Sequence, residues 1–371
     1  MKKVCSEQEL KRLTETLAGC LLGTAVGDAV GLAAESLSRR RQSRLYPNLD
    51  GPRLIGNRGM VSDDTEHACL VAVALAVSGG DPEVFERHLA RGLRRWITAI
   101  PAGVGWATLR ACGKLCLGVS PSRSGAWSAG NGPAMRSAAI GVAYGHDTDQ
   151  LITLVRISTR ITHIDPKAEA GALAVAIAAF VASDSGGKGD CAGRFLRRWN
   201  ETVPLTAPDV RAAASELTRL FERMAGSMQA GESTSAFADS IGPRGRVSGY
   251  IYHTVPVSLH AWLRHPADVR AAVLEVVRCG GDSDTTGAIA GAIVGSGTGR
   301  TGVPGDWLDA LWEWPRNADW MTVLSADTAA AIATGRPMTA PSISWISTLP
   351  RNTAFAAIVL AHGLRRLLPP Y

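Results

Sequence analysis

Two short acidic clusters contain the residues best suited to chemistry. Ser-Asp-Asp-Thr occupies residues 62–65, and Gly-Gly-Asp-Ser-Asp-Thr occupies residues 280–285. Carboxylate and hydroxyl oxygens are good ligands for hard divalent cations such as Mg²⁺ or Mn²⁺, and they suit zinc poorly. If the fold brings the clusters together, their four carboxylates would be neutralised by a pair of ions about 3.5 to 4 Å apart, which could share a reactive water.

Each cluster taken alone has a simpler explanation. Asp, Ser and Thr at the start of an apolar stretch are common helix N-caps, because their oxygens accept hydrogen bonds from unpaired backbone N–H groups. Two clusters of nearly the same design favour the metal site. The Gly280-Gly281 pair adds to this, because glycine lets the backbone approach a ligand closely.

Two further carboxylates lie on a glycine-rich apolar segment. Asp28 and Glu35 are seven residues apart, which is two helical turns, so the spacing predicts that both face the same side of one helix. A buried carboxylate needs a metal, a hydrogen-bond donor or a core arginine as its partner. Glycines recur at every fourth position over residues 19–31, which predicts close packing of another helix or the approach of a ligand.

A third candidate segment is the run Gly130-Asn131-Gly132-Pro133-Ala134. It predicts a loop that enters a helix, where free N–H groups would bind an anion such as phosphate; the alternative is a plain turn with a cap. His163 follows an apolar helix, and a histidine in such a place is more often a buried structural group than a ligand.

Apolar residues spaced three and four apart dominate the chain, and short Gly, Pro, Ser or Asp segments separate them. The pattern predicts an all-α protein built as a single compact orthogonal multi-helix domain, in which Pro256 kinks a helix. Predicted helices cover residues 7–34, 64–78, 83–97, 104–117, 134–144, 148–159, 167–183, 194–200, 208–229, 246–264, 266–279, 284–295 and 354–367.

Composition bounds the possible partners of this 371-residue chain. Its net charge of +6 permits a phosphate-bearing ligand, but no basic stripe interleaved with aromatics is present, so no nucleic acid is predicted. The chain shows neither a signal peptide nor about 20 uninterrupted apolar residues, which predicts a cytoplasmic protein that does not enter membranes. We also expect a monomer. Free, buried thiols rather than disulfides are predicted for Cys20, Cys69, Cys112, Cys116 and Cys279.

Six short motifs occur in a characteristic order: Gly-Asp-Ala-x-Gly with a later Glu, Ser-Asp-Asp-Thr, Gly-Asn-Gly-x-Ala-Met-Arg, Thr-His, Gly-Tyr, and Gly-Gly-Asp-x-Asp-Thr. This order resembles the ADP-ribosylglycohydrolase family, of the dinitrogenase-reductase-activating glycohydrolase type. The resemblance runs from about residue 17 to residue 307 of a single domain covering residues 1–371. Residues 308–371 are a C-terminal helical extension without a recognisable motif.

The resemblance implies an all-α fold with two Mg²⁺ or Mn²⁺ ions at the base of a cleft for ADP-ribose. The metal ligands that it implies are Ser62, Asp63, Asp64, Asp282, Asp284 and Thr285. The catalytic carboxylates that it implies are Glu35, Asp63, Asp64 and Asp284. The substrate contacts that it implies are Asp28, Gly130, Asn131, Gly132, His163 and Tyr250, the last as a ring that stacks on adenine.

We therefore hypothesise a metal-dependent hydrolase that releases ADP-ribose from a modified protein or a related conjugate by cleaving an N- or O-glycosidic bond. Gly103 stands where many arginine-specific members carry an acid, and the residues around it are similar to the branch that processes serine-linked and poly-ADP-ribose. The alternatives are a non-catalytic ADP-ribose-binding or toxin-immunity protein, and structural reuse of the fold, as in lens crystallins that resemble this family.

Overall fold

A computed structural model describes residues 6–369, except for the side chain of Trp345. The described residues form only helices and isolated β-bridges, which confirms the all-α prediction. The first nine helices are α1 (Glu7–Leu32), α2 (Arg39–Leu45), α3 (Asp63–Ser78), α4 (Pro82–Thr98), α5 (Trp106–Cys116), α6 (Pro121–Ser124), α7 (Ala138–Tyr144), α8 (Thr148–Arg160) and α9 (Pro166–Ser185).

The second half of the chain continues in the same way. Its helices are α10 (Cys191–Thr202), α11 (Pro208–Gln229), α12 (Thr234–Ile241), α13 (Ile251–Arg264), α14 (Val269–Val277), α15 (Ser283–Thr298), α16 (Gly305–Asp309), α17 (Ala318–Thr334) and α18 (Trp345–Arg365). Short 3₁₀ turns occupy Ala134–Arg136, Val203–Leu205 and Arg300–Gly302. One large apolar core runs through most of these helices.

Helices α1 and α15 pack backbone against backbone at the centre of the fold. A Cβ atom added at Gly27 would lie 2.5 Å from the carbonyl carbon of Gly287, and one at Gly23 would lie 2.8 Å from that of Gly291. No side chain or ligand fits between the two helices, so the glycine spacing marks helix packing. The Ser283 hydroxyl donates to the carbonyl of Gly31 at 2.8 Å. This packing places the second acidic cluster beside the end of α1.

Helix α9 satisfies the length and apolarity of a membrane span, but 78% of its most apolar window is buried inside the fold. Alanines recur along the helix between larger apolar residues such as Leu173 and Ile177, and most of them are buried. A helix that is apolar all round is typically buried in a core. We therefore identify α9 as a core helix of this domain.

The chain leaves the helical path just before Glu35, so one prediction is wrong. Helix α1 ends at Leu32, and Glu35 lies in the turn that follows it rather than two helical turns beyond Asp28 on one helix. Ser36 adopts a left-handed backbone with φ 63°. Its N–H donates to the carbonyl of Gly281 at 2.6 Å, and the N–H of Gly281 donates to the carbonyl of Leu37 at 2.7 Å. Pairing with the second acidic segment therefore ends the helix.

The C-terminal helix α18 packs against the same turn. Phe355 is buried beside Leu32 and Met60. The Arg366 guanidinium donates to the carbonyl of Glu35 at 2.8 Å and to that of Ala33 at 3.0 Å. A cation at these carbonyls satisfies acceptors that the end of α1 leaves unpaired.

Other sequence expectations differ from the structure at several helix boundaries. The helix predicted to start at residue 246 starts at Ile251, because Val247 pairs with the backbone of the Gly280-Gly281 segment. Pro256 lies inside this helix, which continues to Arg264. Helices α2, α6, α12, α16 and α17 were not predicted. The described cysteines are free, as predicted, but Cys116 is exposed rather than buried, because it lies on the outer face of α5.

Candidate active site

Asp28 holds the start of α3 in place. Its side chain is fully buried, and its Oδ2 accepts hydrogen bonds from the N–H of Ser62 at 2.9 Å, the N–H of Thr65 at 3.2 Å and the hydroxyl of Thr65 at 2.6 Å. Its partner is thus a helix N-terminus, where negative charge is favourable, rather than a core arginine. Asp28 does not line the cavity described next, and its contacts support a positioning role. The substrate contact expected for it stays a prediction.

One cavity of about 310 Å³ brings the two acidic clusters together. The acidic side of the cavity is formed by Glu35, Asp63, Asp64, Asp282 and Asp284, together with Thr285. The lining also contains Gly130, Asn131, Gly132, His163 and Gly249. Ser62 and Tyr250 lie next to lining residues without lining the cavity themselves. Residues more than two hundred positions apart in sequence therefore share one site.

The hydrogen bonds at α3 and α15 fix the orientation of the acidic side chains. The Ser62 hydroxyl accepts from the N–H of Asp64 at 3.2 Å as an N-cap and donates to Asp64 Oδ2 at 3.0 Å. Thr285 donates to the same oxygen at 3.2 Å. Ser62 therefore caps helix α3, and the two acidic clusters also contact each other in this structure.

Burial and mutual repulsion raise the pKa values of these carboxyl groups. The pKa values of Asp63, Asp64 and Asp284 lie well above the usual value, first because of desolvation and then because of neighbouring carboxylates. Burial, followed by the charge of Asp282, raises the pKa of Glu35 to about 7. Such a cluster of acids with raised pKa values in a cavity is typical of a functional site.

The donor set fits a hard cation. Asp64 Oδ1 and Asp284 Oδ1 are buried and have no hydrogen-bond partner, and buried carboxylate oxygens without a donor need a positive charge. Among the described residues, however, no group of three acidic, histidine or cysteine side chains is arranged to hold an ion as it stands. Metal binding therefore stays a prediction, favoured by the chemistry of the oxygens rather than by a formed coordination shell.

The loop at residues 130–135 lines the cavity and contacts one of its acids directly. The Asn131 side chain donates to Asp282 Oδ2 at 2.6 Å and to the Thr254 hydroxyl at 3.1 Å. Within this loop, only the N–H of Gly132 lacks an acceptor among the described residues. The loop enters a 3₁₀ turn rather than an α-helix. The expected row of free N–H groups for phosphate is thus reduced to a single one.

A buried hydrogen-bond chain sets the protonation of His163. Arg136 is 1% exposed and donates to the Thr162 hydroxyl at 2.6 Å and to the Ser158 carbonyl at 2.7 Å. Because Thr162 accepts from Arg136, its own proton can go to His163 Nδ1, which lies 2.9 Å away, whereas the Thr159 carbonyl is at 3.4 Å. The imidazole proton then stays on Nε2. Burial and then Arg136 lower the pKa of His163 to about 3, so the ring is neutral.

Removing the Thr162 hydroxyl should leave His163 Nδ1 without its hydrogen-bond donor, so that the ring can adopt either tautomer. We expect Thr162→Val to shift the ¹⁵N resonances of the imidazole toward a mixture of tautomers and to raise KM about tenfold, as for the loss of one hydrogen bond to substrate. NMR of ¹⁵N-histidine protein measures the tautomer directly. Thr162→Ser keeps the hydroxyl and should keep the wild-type resonances. Unchanged resonances in Thr162→Val would show that Thr162 does not set the tautomer.

Sequence reasoning missed several residues that shape the site. Arg136 belongs to the quoted Met-Arg motif, so a buried cation next to His163 could have been found there. No sequence pattern pointed to Lys167. Its ammonium donates to the Tyr250 hydroxyl at 2.9 Å and to Glu216 at 3.0 Å. The Tyr250 ring is 39% exposed and available for stacking. Among the described residues, a larger cleft of about 620 Å³ between α2 and α14 is lined by a single carboxylate, that of Glu275, which pairs with Arg264.

An all-α domain with buried, repelling carboxylates around a sugar-sized cavity has the chemistry of a hydrolase that acts on glycosyl bonds. The family model that matches residues 9–337 is that of the ADP-ribosylglycohydrolases, and the chain belongs to this family. It is therefore an ADP-ribosyl hydrolase, as the order of its motifs predicted.

Similar proteins agree with this assignment. An uncharacterised protein of Archaeoglobus fulgidus is 30% identical over 81% of this chain and 92% of its own length. ADP-ribosyl-[dinitrogen reductase] glycohydrolase of Rhodospirillum rubrum is 27% identical over 79% and 89%. Human ADP-ribosylhydrolase ARH3 is 27% identical over 78% and 87%. A solved ADP-ribosylglycohydrolase-related protein complex superimposes with a TM-score of 0.63 and 26% identity, covering 86% of this chain and 99% of that one.

Proposed function

We propose that this enzyme uses bound divalent cations to hydrolyse the N- or O-glycosidic bond that links ADP-ribose to a protein side chain or a related conjugate, releasing ADP-ribose. The observation that carries the proposal is the meeting of both acidic clusters in one cavity, with two buried carboxylate oxygens that lack any donor. Two Mg²⁺ or Mn²⁺ ions would be held by Asp63, Asp64, Asp282, Asp284 and the hydroxyls of Ser62 and Thr285. Bound ions would supply Lewis acidity toward water and the ribose hydroxyls.

The protein's own groups would orient the substrate and move protons. Glu35 faces the cavity with a pKa of about 7, so it can accept or release a proton near neutral pH. Asn131 holds Asp282 in place through its amide. His163 would donate its Nε2 proton to the ADP-ribosyl group, and the half-exposed Tyr250 ring would stack on adenine.

The bond cleaved is proposed to be a serine linkage or the linkage of poly-ADP-ribose. Gly103 lines the cavity with φ 80°, and a Cβ atom there would meet nothing within 4 Å. The position thus offers open space where an acid would act on an arginine-linked substrate. The expectations of a monomer, of a cytoplasmic location and of a C-terminal extension from residue 308 stay predictions.

A panel of linkages tests this proposal. Arginine-linked, serine-linked and poly-ADP-ribose substrates are incubated with Mg²⁺, with Mn²⁺ or with EDTA, and released ADP-ribose is measured. We expect release from the serine-linked or polymeric substrate that EDTA abolishes and that added metal restores. Equal release in EDTA would contradict the metal requirement. No release from any substrate, with ADP-ribose still bound, would instead support the binding or immunity role.

A further inference from the structure

The part of the chain next to the active site has an unusual distribution of charge. Residues 87–146 contain eight Arg and Lys residues and no Asp or Glu, although the whole chain has 33 acidic residues. Among the described residues, Arg110 and Arg123 form no ion pair. Lys114 donates to a backbone carbonyl, that of Gly125, at 2.9 Å. The charges of Arg110 and Arg123 are therefore available to an external partner.

The same region exposes large apolar side chains. Trp106 is 80% exposed, Leu109 40% and Leu117 86%. Together with Arg110 they recur at helical spacing along the outer side of α5 and its C-terminus, and we call these four residues the α5 face. Soluble proteins seldom leave such a stripe of large apolar residues uncovered unless it binds something. Trp127, on the loop that leads to the cavity wall, is 72% exposed and adds a second ring.

The α5 face begins at the active site. Trp106 is the first residue of α5 and lines the catalytic cavity together with Gly103 and Gly105. From there the helix runs outward for 11 residues, about 16 Å at 1.5 Å per residue. A molecule whose ADP-ribosyl group fills the cavity would meet this face with whatever is attached to the ribose.

We propose that the α5 face docks the polypeptide that carries the ADP-ribosyl group and selects segments with acidic and apolar side chains beside the modified residue. The inference rests on the proposed function, since it assigns the attached group to a polypeptide. Apolar side chains of the segment would cover Leu109 and Leu117, and its carboxylates would pair with Arg110. Arginine beside large apolar residues is a common composition for the centre of a protein interface.

Binding and turnover of paired peptides test the proposal. Two labelled peptides of equal length have a central serine flanked either by aspartate and leucine or by lysine and leucine. Fluorescence anisotropy measures binding of the unmodified peptides, and kcat/KM is measured for their ADP-ribosylated forms and for ADP-ribosyl-serine without flanking residues. We expect the acidic peptide to bind and react about tenfold better than the basic one at low salt. Arg110→Glu and Leu117→Ser should remove this preference.

Matched variants on other surfaces separate docking from general effects. Arg219→Glu on α11 and Leu205→Ser, where Leu205 is 61% exposed, make the same two substitutions away from the cavity. Both variants should keep the preference for the acidic peptide. All four variants should hydrolyse ADP-ribosyl-serine within about twofold of wild type, since none lines the cavity. Equal binding of both peptides, or an unchanged preference in Arg110→Glu, would overturn the docking surface. Selective peptide binding without hydrolysis of any substrate would overturn only the proposed function.

Discussion

Asp284→Asn is expected to reduce kcat/KM by at least about 10³-fold and to abolish stabilisation by Mg²⁺ or Mn²⁺. The Asp284 side chain lines the cavity, and its Oδ1 is buried without a partner. An amide keeps the shape but removes the charge that would hold a cation. Steady-state kinetics and the shift of Tm on adding metal measure the two effects. The same losses are expected for Asp282→Asn, which is the other acid at the start of α15.

The metal-free stability of Asp284→Asn distinguishes a lost ligand from a damaged fold. The folded protein raises the pKa of Asp284, so the folded state holds this proton more tightly than the unfolded state does. Stability is therefore lost as pH rises above the unfolded pKa of 3.8, and asparagine removes that loss. We expect the variant without metal to be at least as stable as wild type at pH 8. The exposed Asp149→Asn is the control, and wild-type turnover with normal metal stabilisation in Asp284→Asn would refute the assignment.

Gly27→Ala is expected to destabilise the protein by about 3 kcal/mol or more. The new methyl group would overlap the backbone oxygen of Gly287 and lie 2.5 Å from its carbonyl carbon, so neither helix can yield without separating. Urea unfolding followed by circular dichroism measures the change. Activity should fall as well, because separation of α1 from α15 moves the second acidic cluster away from Glu35.

A glycine in open space provides the control for that substitution. Gly226 lies within α11, and a Cβ atom there would meet nothing within 4 Å. Gly226→Ala should therefore stabilise the protein by about 0.5 to 1 kcal/mol, since alanine loses less backbone entropy in a helix. If Gly27→Ala were as stable as Gly226→Ala, the two central helices would not be held by direct backbone contact.

Local patterns in the sequence predicted the parts of the site that depend on short spacing. The acidic clusters, the glycine row on α1 and the helical periodicity are all visible within a few turns of chain. Helix α15 has its own glycines at the same spacing, at 287, 291 and 295, so the sequence contained both halves of the central packing. Neither glycine row by itself predicts that α1 packs against α15, because that pairing depends on the packing of the whole core.

The wrong predictions at the end of α1 and at the 130–135 loop share one physical cause, which is contact between distant segments. Periodicity continued α1 to Glu35, whereas pairing of Ser36 and Leu37 with Gly281 ends it earlier. Cys116 looked buried because its neighbours are apolar, but it lies on the exposed side of α5 beside Leu117, whereas Cys112 and Leu115 are buried. The free N–H groups expected at the 130–135 loop are used by contacts such as that of Asn131 with Gly249, far away in the chain.

Arg366 lies outside the segment that the family model matches, yet it contacts the turn that contains Glu35. The model matches residues 9–337, and the Arg366 guanidinium donates to the carbonyls of Ala33 and Glu35. A chain truncated at residue 337 would keep every acid of the cavity but would lose Arg366, which holds the turn that contains Glu35. It would also lose Phe355 of α18, so Leu32 and Met60 would be uncovered. The segment beyond the family match thus helps to position a residue that lines the cavity.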